Sequence, residues 1–375
     1  MRSSSQVAVC LWWLGVLGAL GCGPQGPGGE GGPGDTGTVT GQVLGALPAP
    51  SRLFAIPGPH RVELSWPAVQ GAVSYKIFSG TSSGSYQWSW TSTTNSTTDW
   101  ADWAQLFYVV KAVNSAGEGQ PSPEATATGW ANVALHRPAA QSTNYDPSYA
   151  LAGAAVDGNT DGNSFHGSVT STAWSNGGRA QWWRVDLGAN KSVYSMDLWN
   201  RTDAWSEELS NVSIDTSVDP TTSPASWSPL TLQYGPAGTP STLDLWGVPA
   251  RHVRLIRATV DRALMIAEVE IYGTPEDRVD PNAPTGLTAT AASGPRVDLV
   301  WVNSTDNVGV KQYYLERCTG STCTDFTRIA VPANTAYTYS DTAVAAGKTY
   351  RYRIQAQDFA LRRGLYSTCA TATTY

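Results

Sequence analysis

The chain has 375 residues, enough for two or three domains at roughly 100 to 150 residues each. Its formal net charge is -6, and it has no basic cluster to displace counterions from phosphates, so a nucleic-acid partner is not expected. Charged residues make up 14%, while Gly, Pro, Thr, Ser, Val and Trp recur throughout. This mixture favours short strands joined by turns and predicts an all-β protein.

An apolar stretch runs from Val7 to Leu20 and ends in small residues. It is shorter than the roughly twenty residues that a membrane-spanning helix needs, so residues 1–21 are predicted to be a signal peptide. The segment Ala19-Leu20-Gly21-Cys22 resembles the lipobox of bacterial lipoproteins, in which the cysteine becomes the acylated first residue. The resemblance implies lipidation at Cys22 and attachment to a membrane through the acyl chains.

Gly23, rather than Asp, follows this cysteine. In lipoproteins this generally indicates the outer membrane. We therefore expect a lipid-anchored protein of the bacterial outer membrane or cell surface, with simple secretion as the alternative. Residues 22–46 are rich in Gly and Pro and are predicted to be a flexible tether.

Three cysteines lie beyond the predicted cleavage site. Cys318 and Cys323 flank a turn-like Thr-Gly-Ser-Thr segment, which predicts a disulfide in an oxidising compartment. A zinc site at these two cysteines is the less favoured interpretation, because no second cysteine pair or paired histidine accompanies them. Cys369 is left over and is expected to be a buried thiol.

Two segments repeat one pattern of alternating apolar residues that ends in tryptophan. The first is Val62-Glu63-Leu64-Ser65-Trp66, and the second is Val297-Asp298-Leu299-Val300-Trp301. With the strands that follow them, residues 47–129 and 280–375 resemble fibronectin type III domains. The resemblance implies two β-sandwiches with a core tryptophan, which most often act as spacers or interaction scaffolds.

Four further tryptophans, Trp88, Trp90, Trp100 and Trp103, lie in the first of these segments. They could form a platform on which sugars stack. The favoured interpretation is packing, because Trp88 and Trp90 share one strand face and sandwich faces use aromatic residues widely.

The middle of the chain contains several long motifs in a fixed order. They include Ala155-Val156-Asp157-Gly158-Asn159-Thr160-Asp161-Gly162, Trp182-Trp183-Arg184-Val185-Asp186-Leu187-Gly188, Trp199-Asn200-Arg201-Thr202-Asp203 and Ala267-Glu268-Val269-Glu270-Ile271-Tyr272-Gly273. Residues 130–274 resemble the discoidin-like F-type lectins, or fucolectins. The resemblance implies a jelly-roll β-sandwich with ligand-binding loops at one end, and so a third sandwich between the other two.

The loop from Asp157 to Ser168 is dense in oxygen donors and Gly, a composition that suits a hard cation such as calcium. The resemblance implies a calcium site with side-chain ligands from Asp157, Ser168 and Glu268. It further implies carbonyl ligands from three residues, Ala154, Asn159 and Ala267. Asx turns without an ion are the alternative.

In F-type lectins, one histidine and two arginines bind fucose beside two adjacent cysteines. The resemblance matches Arg201 to the first arginine and Asp203 to the aspartate of the same motif. It matches Ser171 to the histidine and Glu208 to the second arginine, and Ala204-Trp205 stands in place of the cysteines.

These substitutions remove charge-assisted donors that contribute roughly 1.5 to 3 kcal/mol each, so tight fucose binding is not expected. We expect a re-specified sugar site instead. In it Trp205 stacks on the apolar face of a pyranose, while Arg201, Glu208 and Ser171 supply a donor and acceptors. The nearby His166 is expected to pack within its loop.

The four histidines, His60, His136, His166 and His252, lie in no metal or nucleophile motif. The sequence therefore predicts no enzyme, but a calcium-dependent, glycan-binding surface protein. The alternative is a protein-binding or structural adhesion module without sugar binding. An exposed, concave aromatic surface around Trp205 would favour the lectin, and a filled, flat surface would favour the alternative.

Overall fold

Almost all regular structure in the described residues is β-strand, which confirms the all-β prediction. The computed structural model describes residues 46–101, 104–146, 148, 150–257, 259 and 262–375; the predicted signal peptide, Cys22 and Trp103 lie outside these ranges. Residues 44–375 belong to one compact unit, within which three main hydrophobic cores follow one another along the chain. No helix in the described part of the chain is long and apolar enough to span a membrane.

The first core lies between two sheets. Val62, Leu64 and Trp66 point into it, while Glu63 between them is exposed, as the alternation predicts. One sheet has the order β1-β2-β5, and the other has the order β4-β3-β6-β7 with β8 also on β6. The strands are β1 (Phe54–Gly58), β2 (Arg61–Ser65), β3 (Ser74–Gly80), β4 (Trp88–Ser92), β5 (Ser96–Asp99), β6 (Gln105–Asn114), β7 (Gly117–Pro121) and β8 (Ala125–Thr128).

The first-sandwich tryptophans do not behave as one group. Trp90 packs against the core and donates through Nε1 to Thr97 Oγ1 at 3.3 Å. Trp88 and Trp100 are exposed. The packing interpretation therefore holds for Trp90 alone among the three that are described.

The central core lies within a seven-stranded sheet of order β14-β13-β15-β12-β17-β9, with β10 also on β12, and a separate pair formed by β11 and β16. Its strands are β9 (Ala131–Asn132), β10 (Ala139–Gln141), β11 (Thr170–Ser171), β12 (Gln181–Trp199), β13 (Ser210–Ser217), β14 (Ser228–Pro236), β15 (Ser241–Arg257), β16 (Met265–Ile266) and β17 (Glu268–Pro275). Three short 3₁₀ helices, Ala152–Val156, Ser164–His166 and Ser206–Glu208, lie in its loops.

Trp183 on β12 fixes the start of the oxygen-rich loop. It is fully buried, and its Nε1 donates to the Ala152 carbonyl at 2.9 Å. Trp182 points to the other face and stays partly exposed, with the Arg184 guanidinium 5.3 Å from its ring. The 3₁₀ helix that leads into Asp157 is thereby held against the core.

The last core repeats the arrangement of the first. Its sheets have the orders β18-β19-β22 and β21-β20-β23-β24, with β25 also on β23. The strands are β18 (Thr285–Ala292), β19 (Arg296–Val302), β20 (Val310–Thr319), β21 (Thr327–Ala330), β22 (Thr338–Asp341), β23 (Thr349–Asp358), β24 (Arg363–Tyr366) and β25 (Ala370–Thr373).

The correspondence between these two sandwiches extends to side chains. Trp66 meets the edge of Tyr75 at 5.3 Å between ring centroids, and Trp301 meets Tyr313 at 5.8 Å in the same way. The Tyr108 hydroxyl donates to Asp99 at 3.1 Å, and the Tyr352 hydroxyl donates to Asp341 at 3.0 Å. The repeated sequence pattern therefore corresponds to repeated packing.

The cysteines give one confirmation and one correction. Cys318 and Cys323 form the predicted disulfide, with their Cα atoms 6.0 Å apart. The expectation that Cys369 is buried is wrong: its thiol is free and exposed, because it lies in the short segment between β24 and β25 at the surface.

Candidate functional site

A concave pocket of about 540 Å³ opens in the central sandwich, where the loops after β10, β11 and β12 converge. Its lining includes aromatic and polar side chains, among them Tyr145, Ser164, Ser171, Trp174, Arg201 and Trp205. The structure thus brings together Ser171, Arg201 and Trp205, three of the five residues predicted to bind sugar.

Arg201 lies at the base of the pocket with its side chain only 8% exposed. It forms a two-point ion pair with Asp203, at 2.6 Å from Nε and 2.7 Å from Nη2, and Nη2 also donates to Ser164 Oγ at 2.9 Å. The hydrogen bonds from Arg201 hold the pKa of Asp203 well below its usual range, so this aspartate stays ionised. Asp203 therefore orients Arg201 and neutralises its charge.

One nitrogen of Arg201 has only a weak partner. Nη1 donates to the thioether sulfur of Met265 at 2.8 Å, and a thioether is a poor acceptor. An oxygen ligand in the pocket could take this hydrogen bond with little loss elsewhere. Arg201 can therefore act as a donor although it is almost fully buried.

Trp205 forms one wall of the pocket. Its side chain is half exposed, and its ring meets that of Trp174 edge to face, with centroids 5.4 Å apart. Its backbone is left-handed, with φ 63°, a conformation that costs a non-glycine residue of order 1 kcal/mol or more. Buried Asn200 stabilises this turn by donating to the carbonyls of Ser206 and Ala237, at 2.8 Å each.

Ser171 supplies a hydroxyl to the pocket from the strand pair of β11 and β16. It lies on β11, paired in register with Met265 on β16, and its Oγ donates to the Thr172 carbonyl at 3.0 Å. Its lone pairs can therefore accept from a ligand. The Ser171 carbonyl in turn accepts from the Tyr145 backbone N–H at 3.0 Å, which holds the loop after β10 against the pocket.

The expectation that Glu208 offers an acceptor to a sugar needs correction. Its side chain is fully buried and pairs with two arginines outside the pocket, Arg257 and Arg262, each at 2.7 Å. These partners come from the end of β15 and the segment after it. A buried carboxylate that pairs with the buried Arg257 and the half-exposed Arg262 is a structural ion pair.

The oxygen-rich loop is organised as a ladder of Asx turns. Asp157, Asn159, Asp161 and Asn163 each accept, through a side-chain oxygen, the backbone N–H two residues further on, at 2.8 to 3.1 Å. Each turn uses one oxygen of its side chain, so these turns and a bound ion do not exclude one another.

His166 contacts residues of its own loop, although its side chain is 60% exposed. Its Nδ1 lies 2.5 Å from Asp161 Oδ2, and its Nε2 lies 3.4 Å from Asn163 Nδ2. The contact with Asp161 is the main reason why the pKa of Asp161 lies below its usual value.

The surroundings of the Glu268 carboxylate show whether the residues around the oxygen-rich loop fit a cation. It is fully buried; Oε1 accepts from the Gly158 N–H at 3.0 Å, while Oε2 has no hydrogen-bond partner. Burial raises the pKa of Glu268 to about 8, and the negative charge of Asp157 acts in the same direction. A cation beside this orphaned oxygen would remove both penalties, so the residues fit calcium.

Three further predicted ligands are Ala154, Ala267 and Ser168. Ala154 lies in the 3₁₀ helix that precedes Asp157, and Ala267 directly precedes Glu268. Ser168 is buried, and its Oγ donates to the backbone carbonyls of Asp161 and Asn163.

The loop and the pocket are mechanically linked at Gly162. Its carbonyl accepts from the Thr202 N–H at 2.9 Å, and a Cβ at this position would lie 2.6 Å from that same nitrogen. The loop therefore lies directly against the segment that carries Arg201. Ser164, from the same loop, completes the hydrogen bonds of Asp203 at 2.6 Å.

Sequence reasoning missed Tyr145, Ser164 and Trp174. The signal for Trp174 was present, since it follows Ser171 by three residues in a polar loop. Ser164 and Tyr145 lie 37 and 56 positions before Arg201 in the chain, and only the folded arrangement brings them to it.

The central part of the chain is similar to several known proteins. Residues 154–255 match the F5/F8 type C family model described as "NedA-like, galactose-binding domain". This part of the chain is a discoidin-like domain of the F5/F8 type C class, and it has fucolectin homologues.

A fucolectin of Anguilla anguilla is 38% identical over 87 residues, which cover 22% of this chain and 53% of the fucolectin. An amylopullulanase of Thermoanaerobacterium thermosulfurigenes is 33% identical over 135 residues, which cover 35% of this chain and 7% of that enzyme. The chain thus spans about half of one relative and a small part of the other. A solved fucose binding module of Streptococcus pneumoniae is 31% identical with a TM-score of 0.33, covering 38% of this chain and 96% of the module.

The structural role of Glu208 makes a testable prediction. Glu208→Ala leaves Arg257 buried without its partner and should lower the free energy of unfolding by about 3 to 5 kcal/mol. The neighbouring Glu207 is exposed, and Glu207→Ala should change it by less than about 0.5 kcal/mol. Denaturant unfolding of both variants measures the difference, and equal stability of the two would contradict the buried ion pair.

Proposed function

We propose that the protein is a non-catalytic, calcium-dependent carbohydrate-binding protein of the cell surface, with the pocket around Trp205 as its sugar site. The observation that carries the proposal is the concave pocket in which two tryptophans meet at 75° beside a buried arginine. Aromatic faces with a few fixed polar groups suit a pyranose, which has both an apolar C–H face and hydroxyls. The galactose-binding description of the family model and the names of the fucolectin relatives support a saccharide ligand.

The preferred ligand is a neutral sugar. Asp203 already neutralises Arg201, so the pocket offers no free positive charge to a sugar acid. Arg201 Nη1 donates to a hydroxyl in place of Met265, and Ser171 Oγ accepts from another. The stacked contact with Trp205 adds about 1 kcal/mol beyond simple burial, by analogy with aromatic pairs.

The oxygen-rich loop holds calcium in this proposal. Side chains of Asp157, Ser168 and Glu268, with the carbonyls of Ala154, Asn159 and Ala267, would hold the ion. The ion would supply a positively charged partner for the buried carboxylate of Glu268. Because the loop also carries Ser164, ordering it fixes the hydrogen bonds of Asp203 and the position of Arg201.

The flanking sandwiches serve as fibronectin type III-like spacers, which their shared strand order and buried Trp66 and Trp301 support. The lipidated Cys22 and the Gly/Pro-rich tether attach the array to the outer membrane.

The sugar site is tested with two tryptophans of matched exposure and backbone conformation. Trp205 and Trp246 are 52% and 48% exposed, and both have φ 63°, but only Trp205 lines the pocket. Trp205→Ala should weaken binding of the best ligand on a glycan array about tenfold, which corresponds to about 1.4 kcal/mol, while Trp246→Ala leaves it unchanged. Free fucose should bind weakly to the natural protein.

Two results would count against this assignment. Glycan binding that is indifferent to Trp205→Ala moves the sugar site elsewhere. Absence of any glycan ligand, together with capture of a protein partner, favours the adhesion alternative.

The calcium role is tested at Glu268. Glu268→Gln should reduce the rise in Tm that millimolar calcium gives the protein, and should weaken glycan binding in calcium to the level seen in chelator. The control is Glu270→Gln, two residues along the same strand, where the carboxylate accepts from Trp199 Nε1 at 2.8 Å. Identical calorimetric transitions of the natural central domain in chelator and in calcium would remove the ion from the proposal.

The lipid anchor is tested separately. Cys22→Ser removes the acylated residue, so the protein should move from the membrane fraction to the soluble fraction of cells. Unaltered fractionation of this variant would exclude lipidation as the means of attachment.

A further inference from the structure

Three buried aspartates meet where the central and last sandwiches join. Asp277 follows β17, Asp306 lies between β19 and β20, and Asp358 ends β23. They are 8%, 5% and 0% exposed, respectively. One carboxylate oxygen from each lies within 4.8 Å of the other two.

The hydrogen bonds of the cluster use only one oxygen of each carboxylate. Asp277 Oδ1 accepts from Asn307 Nδ2 at 3.0 Å, and Asp306 Oδ2 and Asp358 Oδ1 accept from backbone N–H groups at 2.8 to 3.1 Å. The other oxygens, Asp277 Oδ2, Asp306 Oδ1 and Asp358 Oδ2, are buried without a partner. The side-chain oxygen of Asn307 is buried without a partner as well.

The cluster has no cation of its own among the ion pairs of the described residues. The nearby Arg362 pairs with Asp280 at 2.5 Å instead. Burial raises the pKa of Asp306 to about 7 and that of Asp358 to about 8, and like charges in the cluster add to the effect. The charge of Arg362 lowers the pKa of Asp358 but does not cancel this rise. Such a concentration of buried acid destabilises the fold at neutral pH unless something neutralises it.

We propose that Asp277, Asp306 and Asp358 bind a second calcium ion, distinct from the ion of the lectin-like loop. Calcium binds oxygen ligands at roughly 2.4 Å, so two ligands on opposite sides of it are at most about 4.8 Å apart, as the aspartate oxygens require. The all-oxygen donor set favours calcium over zinc, and calcium accepts more varied ligand arrangements than magnesium, which requires a near-ideal octahedron. Asn307 Oδ1 supplies a further ligand.

This ion fastens a junction that all three sandwiches share. The Asn307 carbonyl accepts from Thr128 Oγ1, at the end of the first sandwich, at 2.5 Å. Phe359, directly after Asp358, packs edge-on against Trp130 at 5.5 Å between ring centroids. Calcium at the aspartates therefore fixes the orientation of the sandwiches relative to one another.

The test counts calcium ions on the whole exported chain by equilibrium dialysis and isothermal titration. The natural protein should bind two ions, and Asp358→Asn should bind one. The control Asp298→Asn, an exposed aspartate of the same sandwich, should bind two. Asp306→Asn provides a second variant with the same expectation as Asp358→Asn.

Glu268→Gln separates this inference from the proposed calcium loop. One ion retained in Glu268→Gln and lost in the Glu268→Gln, Asp358→Asn double variant supports the aspartate site, whatever the loop does. No loss of bound calcium in Asp358→Asn or Asp306→Asn overturns it.

Stability in chelator distinguishes an ion site from a structural hydrogen-bond cluster. Without calcium, Asp358→Asn removes one of three crowded carboxylates and should unfold at the same or a higher temperature than the natural protein. In calcium the order should reverse. A lower Tm for Asp358→Asn in both conditions would mean that the carboxylate is needed for hydrogen bonds alone, and the inference fails.

Discussion

The burial of carboxylates is the constraint on which much of this structure depends. Glu208, Glu268, Asp306 and Asp358 are almost completely removed from water, and each must be neutralised or protonated to be tolerated. Glu208 solves the problem with two arginines. Glu268 and the aspartate cluster have buried oxygens without partners in the described residues, and both lie beside further acidic groups. The same physical problem thus has two solutions in one chain, an internal ion pair and a candidate metal site, and the available partners decide between them.

The ion pair of Arg201 and Asp203 limits what the arginine can offer a ligand in the proposed sugar site. Asp203 neutralises the charge of Arg201, and only the weakly bonded Nη1 of this arginine remains for a ligand. A hydrogen bond from Nη1 would orient a ligand more than it would attract one by charge. Affinity must then come mainly from the aromatic walls. Trp205 and Trp174 provide this surface, and the left-handed backbone of Trp205 indicates that the turn is held in place against its local preference.

Sequence patterns predicted what depends on local periodicity and short spacing. The tryptophan strands, the all-β class, the disulfide across four residues and the oxygen-rich loop are all of this kind. The prediction for Glu208 failed because its partners, Arg257 and Arg262, lie 49 and 54 positions away, and nothing in the local sequence signals their approach. The prediction that Cys369 is buried failed for a related reason, because the exposure of a residue at a strand end depends on the neighbouring strands. The aspartate cluster could not be predicted at all, because its members come from three segments that are far apart in the sequence, after β17, between β19 and β20, and at the end of β23.

The two candidate ion sites lie at opposite ends of one strand. Glu268 begins β17, and Asp277 follows its last residue, Pro275, by two positions. Eight extended residues span roughly 25 Å, and the described hydrogen bonds give the two acidic groups no shared partner. Sites this far apart contribute nearly additively to stability, so loss of one ion should leave the affinity of the other almost unchanged. The strand would then connect a loop that shapes the pocket to a junction that orients the whole array, with each end fixed by its own ion.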